Sequence, residues 1–203
     1  GVLHGDGHPG NILADEQGHV TLIDFGIADI ADAGLGPAPR TGGGEQLDPA
    51  AAQALRHGQP VPELDVAAEV YSLAALAFRI LTGAAYLDLD LERDDALDAI
   101  ATRPPRPFAD VGRPRWPAVE GVLARGLAKD PAARQATVAD LRDDLARAAR
   151  QVPAPTTDAG ELTSAEAAAL VENSDIDGLA WADADEDTAA VRADALQAVA
   201  VDT

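Results

Sequence analysis

The sequence predicts a mainly α-helical domain with one small β-hairpin close to its first residue. Three observations lead there. Hydrophobic residues make up 47% of the 203, yet Ala carries much of that share and aromatics reach only 3%, a balance that suits helices packed through small side chains better than an aromatic-rich β-sandwich. Beyond Pro49 the apolar positions recur at helical spacing, with Pro at starts and Gly at stops. Between Asn11 and Gly26, by contrast, two short apolar runs flank the turn-rich "DEQG".

The elements follow in order. "NILADEQGHVTLIDFG" reads as the hairpin, with Gly18 available for positive φ. Residues 31–49 are rich in Gly, Pro and Ala and read as a long loop, of the kind that is usually functional or disordered. "PAAAQALRHG" starts on Pro49 and stops at Gly58. "ELDVAAEVYSLAALAFRILTG" is apolar almost all round and is expected to be the buried central helix, stopped by Gly83. "LERDDALDAIA" is a short amphipathic helix before the extended "RPPRPF". "WPAVEGVLARGLAKDP" and "TVADLRDDLARAARQ" form a last helix pair, the second capped by Thr137 with Asp140 three residues on. "VPAPTTD" reads as a linker, and "SAEAAALVEN" as one marginal helix in an otherwise acidic, Ala-rich tail. No internal repeat is visible. The expected organisation is a domain over 1–150, a linker over 151–157 and a largely disordered acidic tail over 158–203.

Charge and composition exclude several classes. The net charge of −20 argues against general affinity for nucleic acid or an anionic membrane. More than half of it sits from Asp158 onward, where twelve acidic residues face one basic residue, Arg192. No apolar run approaches the ~18 residues of a membrane span and no secretory signal is visible. Zero cysteines leave neither a disulfide framework nor a thiolate metal site, which fits a cytoplasmic location. A chain without Met that begins inside a motif reads as a piece of a longer one.

That motif is "HGDGHPGNIL", His4 to Leu13, followed by "DFG" at Asp24 to Gly26. Asp6 and Asn11 share one loop, and Asp24 ends the second strand of the hairpin. A hairpin returns the end of its second strand to the start of its first, so Asn11 and Asp24 converge. Two hard oxygen ligands at that spacing suit Mg²⁺ carrying a polyphosphate. Asp6 is then left to accept a proton from an attacking hydroxyl, while Gly5, Gly7 and Gly10 permit tight backbone geometry.

His4, Asp6 and Asn11, with Asp24, Phe25 and Gly26 thirteen residues beyond Asn11, resemble the catalytic loop H-R-D-x-x-x-x-N and the D-F-G of protein kinases. The likeness runs to about residue 150, through "EVYSLAALAFRILTG" and "VLARGLAKDPAARQATVADLRDDL", which resemble the central and last helices of bacterial serine/threonine kinases. It implies a mainly α, kinase-like C-terminal lobe with a small catalytic β-hairpin, the N-terminal lobe being absent from this chain. It also implies ATP and Mg²⁺ as cofactors, with Asp6 and His8 catalytic, Asn11, Leu13 and Asp24 binding the nucleotide, and Asn11 and Asp24 holding the metal. The partners implied are a protein or peptide substrate and the missing N-terminal lobe.

Departures from the pattern bear on the substrate. Gly5 replaces the usual Arg, Glu69 stands where an Asp is usual, Gly43 replaces a substrate-positioning Thr, and Ala50 replaces a Glu that normally pairs with Arg134. No Gly-rich loop and no strand Lys of the V-A-I-K type precede the motif. "HGDxHPGN" is closer to small-molecule phosphotransferases and to some lanthipeptide synthetase kinase domains. Three readings therefore stand: a serine/threonine kinase, a lanthipeptide synthetase kinase domain acting on a precursor peptide, and an inactive kinase-like fragment with a binding role. His8 either contacts phosphate or substrate or braces the loop backbone. His19 and His57 read as solvated surface and Trp116 as core. Thr41 is a hydroxyl without the Arg that phosphorylated loops use.

Overall fold

Strands in this protein are short and, among the described residues, confined to the first thirty. The computed structural model describes residues 2–15, 17, 19–30, 47–89 and 93–151. Strand β2 (Ile12–Ala14) pairs antiparallel with β3 (Val20–Leu22) in the register Ile12↔Leu22, Leu13↔Thr21, Ala14↔Val20, which is the expected hairpin. Its turn is held by Asp15, whose Oδ1 accepts the N–H groups of Gln17 and His19 at 2.9 and 2.8 Å, an Asx-type turn; Gly18 lies outside the described residues. A second ladder, β1 (Val2–Leu3) against β4 (Asp29–Ile30), closes the base of the loops around the hairpin. Two-residue strands carry no readable periodicity, and the sequence analysis had no signal for this pair.

Five α-helices follow among the described residues. Asp48 caps α1 (Pro49–Arg56) by accepting the Ala51 N–H at 2.8 Å. Asp65 caps α2 (Val66–Thr82) through Ala68 N–H at 2.7 Å, which starts the central helix three residues after Glu63. The helix ends at Gly83, whose φ of 75° is the left-handed conformation that terminates helices. The chain continues with α3 (Arg93–Thr102), α4 (Pro117–Gly126) and α5 (Val138–Gln151). Thr137 and Asp140 form the predicted cap of α5: Thr137 Oγ1 accepts the Asp140 N–H at 3.0 Å and donates to its carboxylate at 2.8 Å. The expected helix over 116–131 stops at Gly126, and Pro131–Ala133 winds instead as a 3-10 turn capped by Asp130.

Helix α2 is the axis of the core. It packs against α4 and α5, while α1 packs on α3. Tyr71, Phe78, Leu97, Ile100, Leu123 and Leu127 are almost fully buried, and each such side chain contributes about 1.5–3 kcal/mol through burial. Trp116 joins this core, as expected. One polar cluster crosses it: Lys129 Nζ donates to Tyr71 Oη at 3.0 Å and to the Ile100 carbonyl at 2.8 Å, and the Tyr71 and Tyr86 hydroxyls share a hydrogen bond. Burial, with the nearby Arg134 charge, lowers the Lys129 ammonium to about 8. Arg134 is buried and donates to the carbonyls of Ala67 and Ala128 at 2.7 and 2.8 Å.

The expectations for Thr41 and Gly43 in the 31–46 segment, and for the linker after Gln151, the 164–173 helix and the acidic tail, lie outside the described residues.

Candidate active site

Three short elements and one long one assemble the site. The loop of residues 4–8 leads into a 3-10 turn at Pro9–Asn11, the hairpin follows, and α2 runs beneath. The loop conformation has a physical cause in each residue. Gly5 has φ 77°, and a Cβ there would meet Leu64 Cδ2 at 2.9 Å, so the usual Arg could not adopt this backbone without strain. Its N–H donates to Glu69 Oε2 at 3.0 Å and the His4 N–H to Oε1 at 3.2 Å. Glu69 is buried on α2, and its two oxygens hold two successive loop amides.

His4 ties the loop to the second strand. Its Nδ1 accepts the Asp6 N–H at 3.2 Å, so the ring proton is on Nε2, which donates to the Ile23 carbonyl at 2.9 Å. The ring lies edge-on to Phe25 at 4.8 Å. Ile23 in turn donates its N–H to the Asn11 carbonyl at 2.9 Å, extending the hairpin pairing by one step and bringing Asp24 to the residue next to that pair. Asp24 has φ 60°, rare for a residue with a Cβ but tolerated by Asp, and its Oδ1 accepts the Gly26 N–H at 3.2 Å.

Asp6, His8 and Asn11 converge directly. The Asn11 amide nitrogen donates to the Asp6 carbonyl at 3.0 Å and to Asp6 Oδ2 at 3.1 Å. His8 Nδ1 accepts the Gly10 N–H at 3.0 Å, which caps the 3-10 turn and turns Nε2 toward Asp6 Oδ2, 3.6 Å away. A Cβ on Gly10 would fall 2.8 Å from this ring. Of the two roles open to His8, bracing the loop is therefore present in the structure. Burial pushes the Asp6 carboxyl up, but the hydrogen bond from His8, the Asn11 amide and the favourable electrostatics of the neighbouring His8 and His4 rings outweigh it, and the net displacement is downward. Asp6 is accordingly an anion at neutral pH.

The donor set fits a hard cation. With both Asn11 amide hydrogens turned to Asp6, its Oδ1 is the atom left for a ligand, and Asp24 adds an exposed carboxylate. Two protein oxygens are a normal complement for Mg²⁺, which takes its other positions from water and phosphate. Among the described residues no group of three His, Cys, Asp or Glu side chains could hold a metal by itself. Leu13 lies in β2 with its side chain 54% exposed. The sequence analysis missed one positioning residue: Glu69 registered only as a departure from Asp, and its spacing from the loop carried no signal of the contact.

Known proteins similar to this chain include phosphotransferases and protein kinases. Residues 1–69 match the model of the APH family, described as a phosphotransferase enzyme family. The chain is 40% identical over 147 residues to the serine/threonine-protein kinase PknK of Mycobacterium bovis, covering 71% of this chain and 12% of that protein. It is 34% identical over 154 residues to PknB of Mycolicibacterium smegmatis, covering 72% and 23%, and 33% identical over 170 residues to PksC of Streptomyces coelicolor, covering 81% and 29%. A mainly helical fold with small antiparallel sheets and a loop of this type are consistent with a kinase-like chain. The chain belongs to the protein kinase family. It spans 12% of the length of the first relatives it matches.

Proposed function

We propose that this chain is the C-terminal lobe of a longer enzyme that transfers the terminal phosphate of ATP to a Ser or Thr hydroxyl of a protein or peptide. Asp6 carries the reading. It is an ionised carboxylate anchored by Asn11, next to His8, and hung from α2 through Glu69. In the reaction Asp6 accepts the hydroxyl proton and orients the oxygen for attack. Asn11 and Asp24 hold Mg²⁺, and Leu13 meets the nucleotide. Mg²⁺, when bound, supplies charge neutralisation on the phosphates. His8, beyond bracing the loop, neutralises charge on the group in transfer. Positioning and fixed charge account for most of such catalysis.

The parent chain supplies an N-terminal lobe. Leu13, Val20, Leu22, Ile23 and Phe25 are all exposed on or beside the hairpin, divided between its two faces, and exposed apolar side chains of this kind suit a covering lobe and, at Leu13, the nucleotide. Residues 1–150 are the lobe, 151–157 the linker and 158–203 an acidic tail. The enzyme works in the cytoplasm, where ATP is supplied; among the described residues no helix is long and apolar enough to cross a membrane.

A second reading, a lanthipeptide synthetase kinase domain acting on a precursor peptide, is favoured by Gly5 and the "HGDGHPGN" loop. An inactive kinase-like fragment with a binding role is the third. The deciding experiment uses the parent with its upstream lobe. Asp6→Asn should keep nucleotide affinity by isothermal titration nearly unchanged and lower kcat by roughly 10²–10⁴. Near-full kcat in that variant would sink the assignment.

A further inference from the structure

An apolar groove of about 340 Å³ lies at the C-terminal end of α2, where α4 and α5 pack against it. Ile80 and Leu81 from the last turn of α2, Trp116 and Val119 at the start of α4, and Leu145 and Ala146 on α5 line it. Ile80 and Leu81 are 61% and 43% exposed, so this end of an otherwise buried helix keeps large apolar side chains in water. No lining residue is charged. A small-molecule site needs a few polar groups placed inside it to fix orientation. Here the charged groups stand at the rim, which suits an occupant long enough to reach them.

That rim is basic in a strongly acidic protein. Residues 103–150 hold ten basic and six acidic side chains, whereas residues 1–102 hold four and seventeen. Arg113 Nε donates to the Thr82 carbonyl at 2.8 Å, beside Leu81. Arg115, next to Trp116, donates its Nε to Glu120 at 2.9 Å. Arg150 donates its Nε to the carbonyl of Ala146, a lining residue, at 3.0 Å. All three arginines turn Nε inward, and their terminal nitrogens make no hydrogen bond among the described residues. Those terminal N–H groups are the donors with which a guanidinium takes a carboxylate. The helix dipole accounts for basic residues at the ends of α2 and α5, but not for Arg115, which stands before the first turn of α4.

We propose that this surface docks an acidic amphipathic helix of another protein, with its apolar side chains in the groove and its carboxylates on Arg113, Arg115 and Arg150. Apolar anchors at i, i+3, i+4 and i+7 enter between the ends of α2, α4 and α5, as amphipathic helices do in hydrophobic grooves. Charge selects the partner, because a basic segment with the same apolar pattern would set like charges against the three arginines. Nucleic acid and anionic membrane are extended surfaces, and the net charge of −20 repels them as a whole. A short segment instead feels mainly the rim itself, since charges beyond about 10 Å are screened. None of this depends on the catalytic reading.

Fluorescence anisotropy with the full 203-residue chain tests this. Two labelled peptides of about fourteen residues, roughly four helical turns, share Leu at i, i+3, i+4 and i+7. One carries Glu and Ala at the other positions, and its counterpart carries Lys and Ala. The Glu peptide should bind saturably and at least about tenfold tighter than the Lys peptide. Ile80→Ser, at an exposed position, should weaken the Glu peptide at least about tenfold. Arg115→Glu with Arg150→Glu should reverse the preference, with thermal midpoints near wild type in both variants. No saturable binding of the Glu peptide, equal affinity for the two peptides, or affinity untouched by Ile80→Ser would each overturn the proposal. So would binding to phosphatidylserine vesicles in place of the Glu peptide, or self-association abolished by Ile80→Ser, which assign the surface to a membrane or to a second copy.

Discussion

Glu69 on the central helix accepts the backbone N–H of Gly5 at 3.0 Å across 64 residues of sequence, and its second oxygen takes the neighbouring His4 amide. The geometry of the 4–8 loop is thus referred to the buried central helix α2. Glu69→Gln removes one of two acceptors and sets an amide N–H against a buried donor. It should cost about 1–3 kcal/mol, close to the cost of Glu69→Ala despite its near-identical shape. Urea unfolding of the three chains tests this, and a neutral Glu69→Gln would show that the loop does not need the contact.

Asp24 and His8 should separate in an intact parent. Asp24→Asn removes a full charge from the proposed cation site, so Mg²⁺-dependent nucleotide binding and turnover should fall together. His8→Ala leaves that charge and removes the cap of the Pro9–Asn11 turn; its effect on kcat should be smaller than that of Asp6→Asn. Titration with a non-hydrolysable nucleotide, read beside steady-state rates, distinguishes the two.

The 203-residue chain by itself should show negligible kinase activity and at most weak Mg²⁺–nucleotide affinity. Leu13, 54% exposed on the hairpin, would under the proposed function meet the nucleotide from one side only. Robust turnover of labelled ATP by the purified chain would refute both this prediction and the need for an upstream lobe.

Deleting residues 158–203 should leave the thermal midpoint nearly unchanged. This stretch has few large apolar side chains and a strong excess of negative charge, so burial would scarcely offset ordering at about 1–2 kcal/mol per residue. A large fall in midpoint would show that the tail packs on the domain.

Lys129 gives a pH dependence with a definite sign. Its ammonium titrates near 8 in the folded protein, below its ordinary value of 10.5, because burial disfavours the charged form. Between about 8 and 10.5 the unfolded chain binds more protons at this site than the folded one, so this group's contribution to stability rises with pH across that window. Relative to Lys129→Met, the wild-type chain should gain unfolding midpoint between pH 7 and pH 9.5. A constant difference would place Lys129 in contact with solvent.

Much of the site was legible because its signals are local. Asp6, Asn11 and Asp24 stand at spacings that a loop and a hairpin convert directly into proximity, and the Ile12↔Leu22 register bears this out. Helices α1, α2 and α5 announced themselves by Pro49 in a first turn, by the stop at Gly83 and by the cap at Thr137, since such signals are chemistry between residues a few positions apart, while the caps at Asp48 and Asp65 were seen only in the structure. The β1–β4 ladder was not legible, because two residues have no period.

What the sequence by itself determined is the helical class, the hairpin and the spacing of Asp6, Asn11 and Asp24, all of which depend on contacts within a turn or two of chain. What only the tertiary structure decided is how those groups are held and which faces stay open. The tie from Glu69 to His4 and Gly5, the edge contact of His4 with Phe25, and the apolar groove beside Trp116 each join residues distant in sequence. Such contacts follow from how helices pack around α2, and packing is set by the summed shapes of many side chains, which no local pattern encodes.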